Sequence, residues 1–121
     1  MGKRCLIVDD SASMRQLVSF TVKDAGYDVL VAENGKDALA KLGGSKVDVV
    51  ITDLNMPEMD GITLIRQLRG MDEYKFVPIV MLTTEAQEAK KQEGRAAGAS
   101  GWIVKPFVPD RLLEVVRKFV K

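Results

Sequence analysis

The chain has 121 residues, no histidine, a single cysteine and a formal net charge of +1, enough for one domain that buries roughly two thirds of its unfolded surface without disulfide or structural metal. The near balance of charge excludes global steering toward nucleic acid or anionic membranes, so partner choice must be local. The missing imidazole removes the commonest general base and transition-metal ligand and leaves carboxylate, hydroxyl and lysine chemistry.

The first residues, MGKRCLIVDDS, hold an apolar run too short and too acidic for a signal peptide or membrane span. Leu6 stands where N-myristoylation wants Ser or Thr. With the lone Cys5 inside an apolar run, this predicts a cytoplasmic, reduced protein. CLIV, residues 5–8, reads as a first strand ending at Asp9 and Asp10. A helix is expected over residues 13–25, with Met14, Leu17, Val18 and Val22 on one face, a capping box from Ser13 to Gln16 and a stop at Gly26.

DVLVA, residues 28–32, gives a second strand, and a short helix over 37–42 ends at Gly43 and Gly44. VDVVIT, residues 47–52, is a third strand that runs into Asp53, with Pro57 and Gly61 shaping the loop beyond it. A helix over 61–69 spaces Ile62, Ile65 and Leu68 along one buried stripe, and PIVML, residues 78–82, leads to Thr83 and Thr84. In EAQEAKKQEGRAAG, residues 85–98, the apolar side chains are all alanine, and Gly94 interrupts the helix at about 1 kcal/mol relative to alanine. Loose attachment is expected there, as a solvated or a mobile functional surface. GWIV, residues 101–104, is a fifth strand followed by Lys105. The last helix starts near Pro109 and presents Leu112, Val115, Val116 and Phe119, with Leu113 and Val120 widening the face.

Strict alternation of doubly apolar strands with helices argues for an α/β fold, an open, doubly wound parallel sheet covered on both faces. Ligands in such sheets bind beyond the carboxyl ends of the strands. Asp9, Asp10, Asp53, Thr83 and Lys105 all follow strand ends, so one edge should gather them. Three converging carboxylates repel unless a cation intervenes. Mg2+, a hard ion that takes carboxylate, water and phosphate oxygens, suits that set. The turn VDDSAS lacks the glycines and the approachable helix start of a dinucleotide site, and no GxxxxGK[ST] is present.

LIVDDS, ITDLNMPEMDG, VMLTTE and AAGASGWIVKPF, in this order over the whole length, resemble the receiver domains of response regulators, and among them the single-domain chemotaxis regulators. The resemblance implies a flavodoxin-like sheet of five strands in the order 2-1-3-4-5 with five helices, and one receiver domain over 1–121 without an output domain. It implies that Asp53 accepts a phosphoryl group from a sensor histidine kinase. Asp10, Asp53 and the Asn55 carbonyl would hold Mg2+, with Asp9 reaching it through water. Thr83 and Lys105 would bind the remaining phosphoryl oxygens, and a cis Lys105–Pro106 peptide would aim the ammonium. Thr83 and the aromatic Trp102 would form the switch, where the family commonly has tyrosine or phenylalanine. Asn55 and Glu85 would tune dephosphorylation, giving a short phosphoryl lifetime. The output face would be the fourth helix, fifth strand and fifth helix, where Lys90, Lys91, Gln92 and Arg95 make the helix polar and basic, beside Trp102. A monomer is implied, with an unidentified downstream target, a phosphatase left open, and neither nucleic acid nor membrane as partner.

Competing readings are a Mg2+-dependent phosphohydrolase passing through an aspartyl phosphate, a receiver excised from a longer regulator, and a pseudo-receiver that binds without phosphorylation. The first usually has a second aspartate two residues after the nucleophile, where this chain has Asn55. The intact set of Asp9, Asp10, Asp53, Thr83 and Lys105 argues against the last.

Overall fold

A computed structural model describes residues 3–120, so the Met1–Gly2 start and Lys121 lie outside it. Strands and helices alternate throughout: β1 (Arg4–Val8), α1 (Ala12–Asp24), β2 (Asp28–Ala32), α2 (Gly35–Leu42), β3 (Val49–Thr52), α3 (Gly61–Arg69), β4 (Ile79–Thr83), α4 (Glu88–Ala97), β5 (Gly101–Val104) and α5 (Pro109–Phe119). All strand pairs are parallel, in the order β2-β1-β3-β4-β5. This is the doubly wound flavodoxin-like sheet expected from the sequence. β1, β3 and β4 are apolar on both faces because each face meets a helical layer. On one side Leu6, Val50 and Met81 pack with Ala38 of α2 and with Ile62, Ile65 and Leu68 of α3. On the other, Cys5, Ile51 and Val80 pack with Val18 and Val22 of α1 and with Leu112, Val115 and Val116 of α5.

Helix starts are set by side-chain caps. Ser11, Asn34 and Asp60 each accept the backbone N–H three residues on, at 3.3, 2.8 and 2.8 Å. The capping box at Ser13 is therefore corrected. The cap is Ser11, whose own N–H is held by Asp9 Oδ1 at 2.9 Å, so the chain turns earlier and α1 begins at Ala12. For the same reason α2 begins at Gly35, two residues before the expected start, under the Asn34 cap. Leu17 is also corrected: it is 46% exposed, and Thr21 takes the buried place beside Val18 and Val22, its hydroxyl satisfied by the Leu17 carbonyl at 2.8 Å. The remaining strand ends differ by a residue or two. Val47 is buried but lies ahead of the ladder, and Thr83 belongs to β4.

The expectation of a loosely attached fourth helix is corrected at its C-terminal half. α4 spans Glu88–Ala97; its first turns are exposed and lack a side-chain cap, whereas Gly94 is buried and Ala97 packs against the α2–α3 side of the core. Arg69, in the last turn of α3, secures that end. Its guanidinium donates to the Gly98 carbonyl at 3.2 and 2.7 Å, and to the carbonyls of Tyr74 and Val77 at 3.0 and 2.7 Å. Among the described residues no helix is long and apolar enough to cross a membrane.

Candidate phosphoryl-accepting site

The sheet register brings the predicted residues together. Val8 lies opposite both Ala32 and Thr52, and Thr83 opposite Val104. One residue beyond, the ladder continues: Asp9 N–H donates to Ala32 O at 3.1 Å, Asp53 N–H to Val8 O at 2.9 Å and Lys105 N–H to Thr83 O at 2.8 Å. Asp9 and Asp53 thus stand level on adjacent strands, while Lys105 lies two residues further along in the register and reaches back to them with its long side chain, all three from backbones held by ladder bonds.

Asp9 and Asp53 are 3% and 8% exposed, while Asp10 faces solvent. Carboxylate oxygens of all three lie within 4.8 Å of one another. Lys105 Nζ bonds Asp9 Oδ2 at 2.7 Å and lies 3.6 Å from Asp53 Oδ2. The Lys105–Pro106 peptide is cis. Asp9 is further enclosed by Arg15, whose guanidinium donates to its backbone carbonyl at 2.7 Å. Both Asp9 oxygens have protein donors, Ser11 N–H and Lys105.

Burial pushes the Asp53 carboxyl above the ordinary carboxylate range, opposed first by the Thr83 hydroxyl and then by the Lys105 ammonium; the Asp9 charge raises it further and the Leu54 N–H lowers it. That N–H donates to Asp53 Oδ1 at 2.8 Å. Three carboxylates against one ammonium leave an excess of negative charge on hard oxygen donors, a set that fits a small divalent cation.

The loop after β3 is shaped by a close approach. Gly61, the first residue of α3, donates to Leu54 O at 2.8 Å, and a Cβ there would overlap the Asp53 carbonyl oxygen. Glycine is therefore required where α3 starts against the strand that carries Asp53. Asn55 is exposed. Thr83 is buried and its Oγ1 accepts the Glu85 N–H at 3.2 Å; the Glu85 carboxylate accepts the Gln87 N–H at 3.1 Å. Trp102 is half-buried, on the α4 side of β5, and its indole N–H donates to the Glu85 carbonyl at 3.0 Å. Lys91, Arg95 and Trp102 line a small recess at the α4–β5 junction, while Lys90 pairs with Glu93 at 3.4 Å on the helix surface.

Sequence reasoning missed Ser11, Arg15, Arg69 and the contact made by Gly94. The mid-helix glycine was a signal: α4 loses helix propensity there without a turn to account for it. The two arginines had none, because both donate to backbone carbonyls remote in sequence or across a turn.

Residues 5–117 match the family model for the response regulator receiver domain. The chain belongs to that family. It is 43% identical to the chemotaxis protein CheY1 of Helicobacter pylori over 113 residues, covering 92% of this chain and 91% of that protein. It is 41% identical to the chemotaxis protein CheY of Thermotoga maritima over 122 residues, covering all of both chains. Among solved structures, the chemotaxis protein CheY4 of Vibrio cholerae superposes with a TM-score of 0.95 at 49% identity, covering 99% of this chain and 100% of that one.

Proposed function

We propose that this chain is a phosphorylation-activated response regulator of CheY type in which Asp53 takes a phosphoryl group from a sensor histidine kinase. The observation that carries this reading is the convergence of Asp9, Asp10 and Asp53 with Lys105 at one sheet edge, with the Asp53 carboxylate mounted on a buried strand. An Asp53 oxygen attacks phosphorus as the P–N bond of the kinase phosphohistidine breaks, and the imidazole leaves with the electron pair. The chain has no histidine of its own, which is consistent with a donor imidazole supplied by the partner.

Fixed positions matter more than covalent chemistry in such a transfer. The Leu54 N–H orients Asp53 from its own backbone, and Gly61 lets α3 close behind it. Lys105 sits between Asp9 and Asp53, where an incoming phosphoryl oxygen can exchange places with a carboxylate. Thr83 presents its hydroxyl to the same space. Asp10 and Asp53, with the Asn55 carbonyl, are the residues suited to hold Mg2+, and Asp9, already bonded to Ser11 and Lys105, is suited to a water-mediated role. Bound there, the cation supplies neutralisation of the charge that collects on phosphoryl oxygens.

Thr83 and Trp102 then act as the switch through the Glu85 backbone that touches both. Asn55 and Glu85 border the phosphoryl position and tune its hydrolysis. Output passes through α4, β5 and α5, where Lys90, Lys91, Arg95 and Trp102 offer a basic face with an aromatic centre to a downstream target. The protein acts as a cytoplasmic monomeric switch rather than as a turnover enzyme.

The test is mass spectrometry of the protein with Mg2+ and a small acyl phosphate or phosphoramidate. The wild type should gain one phosphoryl group and Asp53→Asn none. Labelling of the variant to the wild-type extent would overturn the acceptor assignment, and steady turnover of a phosphomonoester would favour a hydrolase.

A further inference from the structure

Gly94 has no conformational reason to be glycine. It lies inside α4, its carbonyl accepts the Gly98 N–H at 3.1 Å as in any helix, and its φ lies outside the positive range. What its missing side chain accommodates is Trp102. A Cβ on Gly94 would stand 2.6 Å from the indole Cζ3, 3.4 Å from Cε3 and 3.7 Å from Cη2. The first separation is not tolerated between carbon atoms, and a rigid bicyclic ring cannot relieve it by bending its end. The opposite edge of the same ring is held by the indole N–H bond to Glu85 O at 3.0 Å.

We propose that Gly94 is a positioning residue for Trp102: the gap it leaves in α4 seats the indole and holds its N–H against the Glu85 carbonyl. Contact is then continuous from the Thr83 hydroxyl through the Glu85 backbone to the indole and on to α4. The functional weight of this seat rests on the reading of Trp102 as the switch aromatic. The larger ring on β5 and the smaller residue on α4 form one complementary pair, so the glycine that weakens α4 as a helix is what lets the helix lie close to β5.

Spatial adjacency alone is not coupling, so the test is a double-mutant cycle on the phosphoryl-free protein. Trp102 is the sole tryptophan. Gly94→Ala should move its emission to longer wavelength and raise its collisional quenching by acrylamide as the ring is displaced outward. The same substitution should lower the melting temperature with Trp102 present, yet raise it by about 4 °C in a Trp102→Leu background, where only helix propensity remains. Unchanged emission and quenching, or equal melting shifts in both backgrounds, would overturn the proposal. Should Gly94→Ala not fold, folding of Gly94→Ala/Trp102→Leu supports it, and failure of both overturns it. These readings need no phosphodonor, so they can fail while Asp53 is still labelled, or succeed while it is not.

Discussion

The Lys105 ammonium donates to the Asp9 carboxylate across 2.7 Å, joining residues 96 positions apart at the carboxyl edge of the sheet. Both side chains are at most one-tenth exposed. Removing one partner of such a pair strands the other charge in a poorly solvated place. Lys105→Met should therefore cost about 3 kcal/mol of unfolding free energy in divalent-free buffer. Urea titration checks it. Millimolar Mg2+ should return more stability to the variant than it adds to the wild type, because the variant has lost the only ammonium within 4 Å of these carboxylates among the described residues.

Asp53 should be a stability liability. Its folded pKa is raised above 3.8, chiefly by burial, while in the unfolded chain it ionises normally. Above pH 4 the unfolded state therefore binds fewer protons from this group, and stability falls as pH rises through the folded value. Asp53→Asn, which keeps the shape and removes the charge, should gain about 1 kcal/mol at pH 7 without divalent ions. Parallel urea titrations at pH 5 and pH 7 decide this, with the larger gain expected at pH 7.

Arg69 joins α3, the segment after it and the end of α4 through four hydrogen bonds to carbonyls. Arg69→Met should lower stability by about 3 kcal/mol, since charged donors leave those carbonyls without replacements. Arg69→Lys should recover less than half, because one ammonium cannot reproduce the planar fork. Hydrogen exchange should quicken at the α4 C-terminus in both variants, before global unfolding does.

Cys5 is fully buried, and burial pushes its thiol far above the ordinary value of 9.0. Above pH 9 the unfolded chain loses this proton while the folded one keeps it, so stability falls with rising pH by up to about 1.4 kcal/mol per unit from this group alone. Tyr74, whose phenol burial also raises, adds to the loss above pH 10. Melting curves between pH 8 and 10 should show the slope in the wild type and a shallower one in Cys5→Ala. The native thiol should also resist alkylation.

Much of this was open to reading before any coordinates. The apolar runs around Leu6, Val50 and Val80 have no polar face, which by itself requires helices on both sides and hence a parallel sheet. The acidic and basic residues that follow those runs then fall at one edge because parallel strands share a direction. Helix starts were less legible, as Ser11 and Asn34 show, since several hydroxyl or amide residues compete for each cap and backbone geometry selects among them.

The order and type of the elements, and the identity of the groups at the strand ends, were determined by local pattern, because periodicity and turn chemistry act over a few residues. Tertiary structure alone decided which atoms meet. Lys105 is closer to Asp9 than to Asp53, Arg69 reaches Gly98, and Gly94 is empty for the sake of Trp102. Those relationships depend on register, helix placement and distances of a few tenths of an ångström between segments far apart in the chain. Short-range sequence preferences can flag an odd residue, as the mid-helix Gly94 does, but carry no record of its partner.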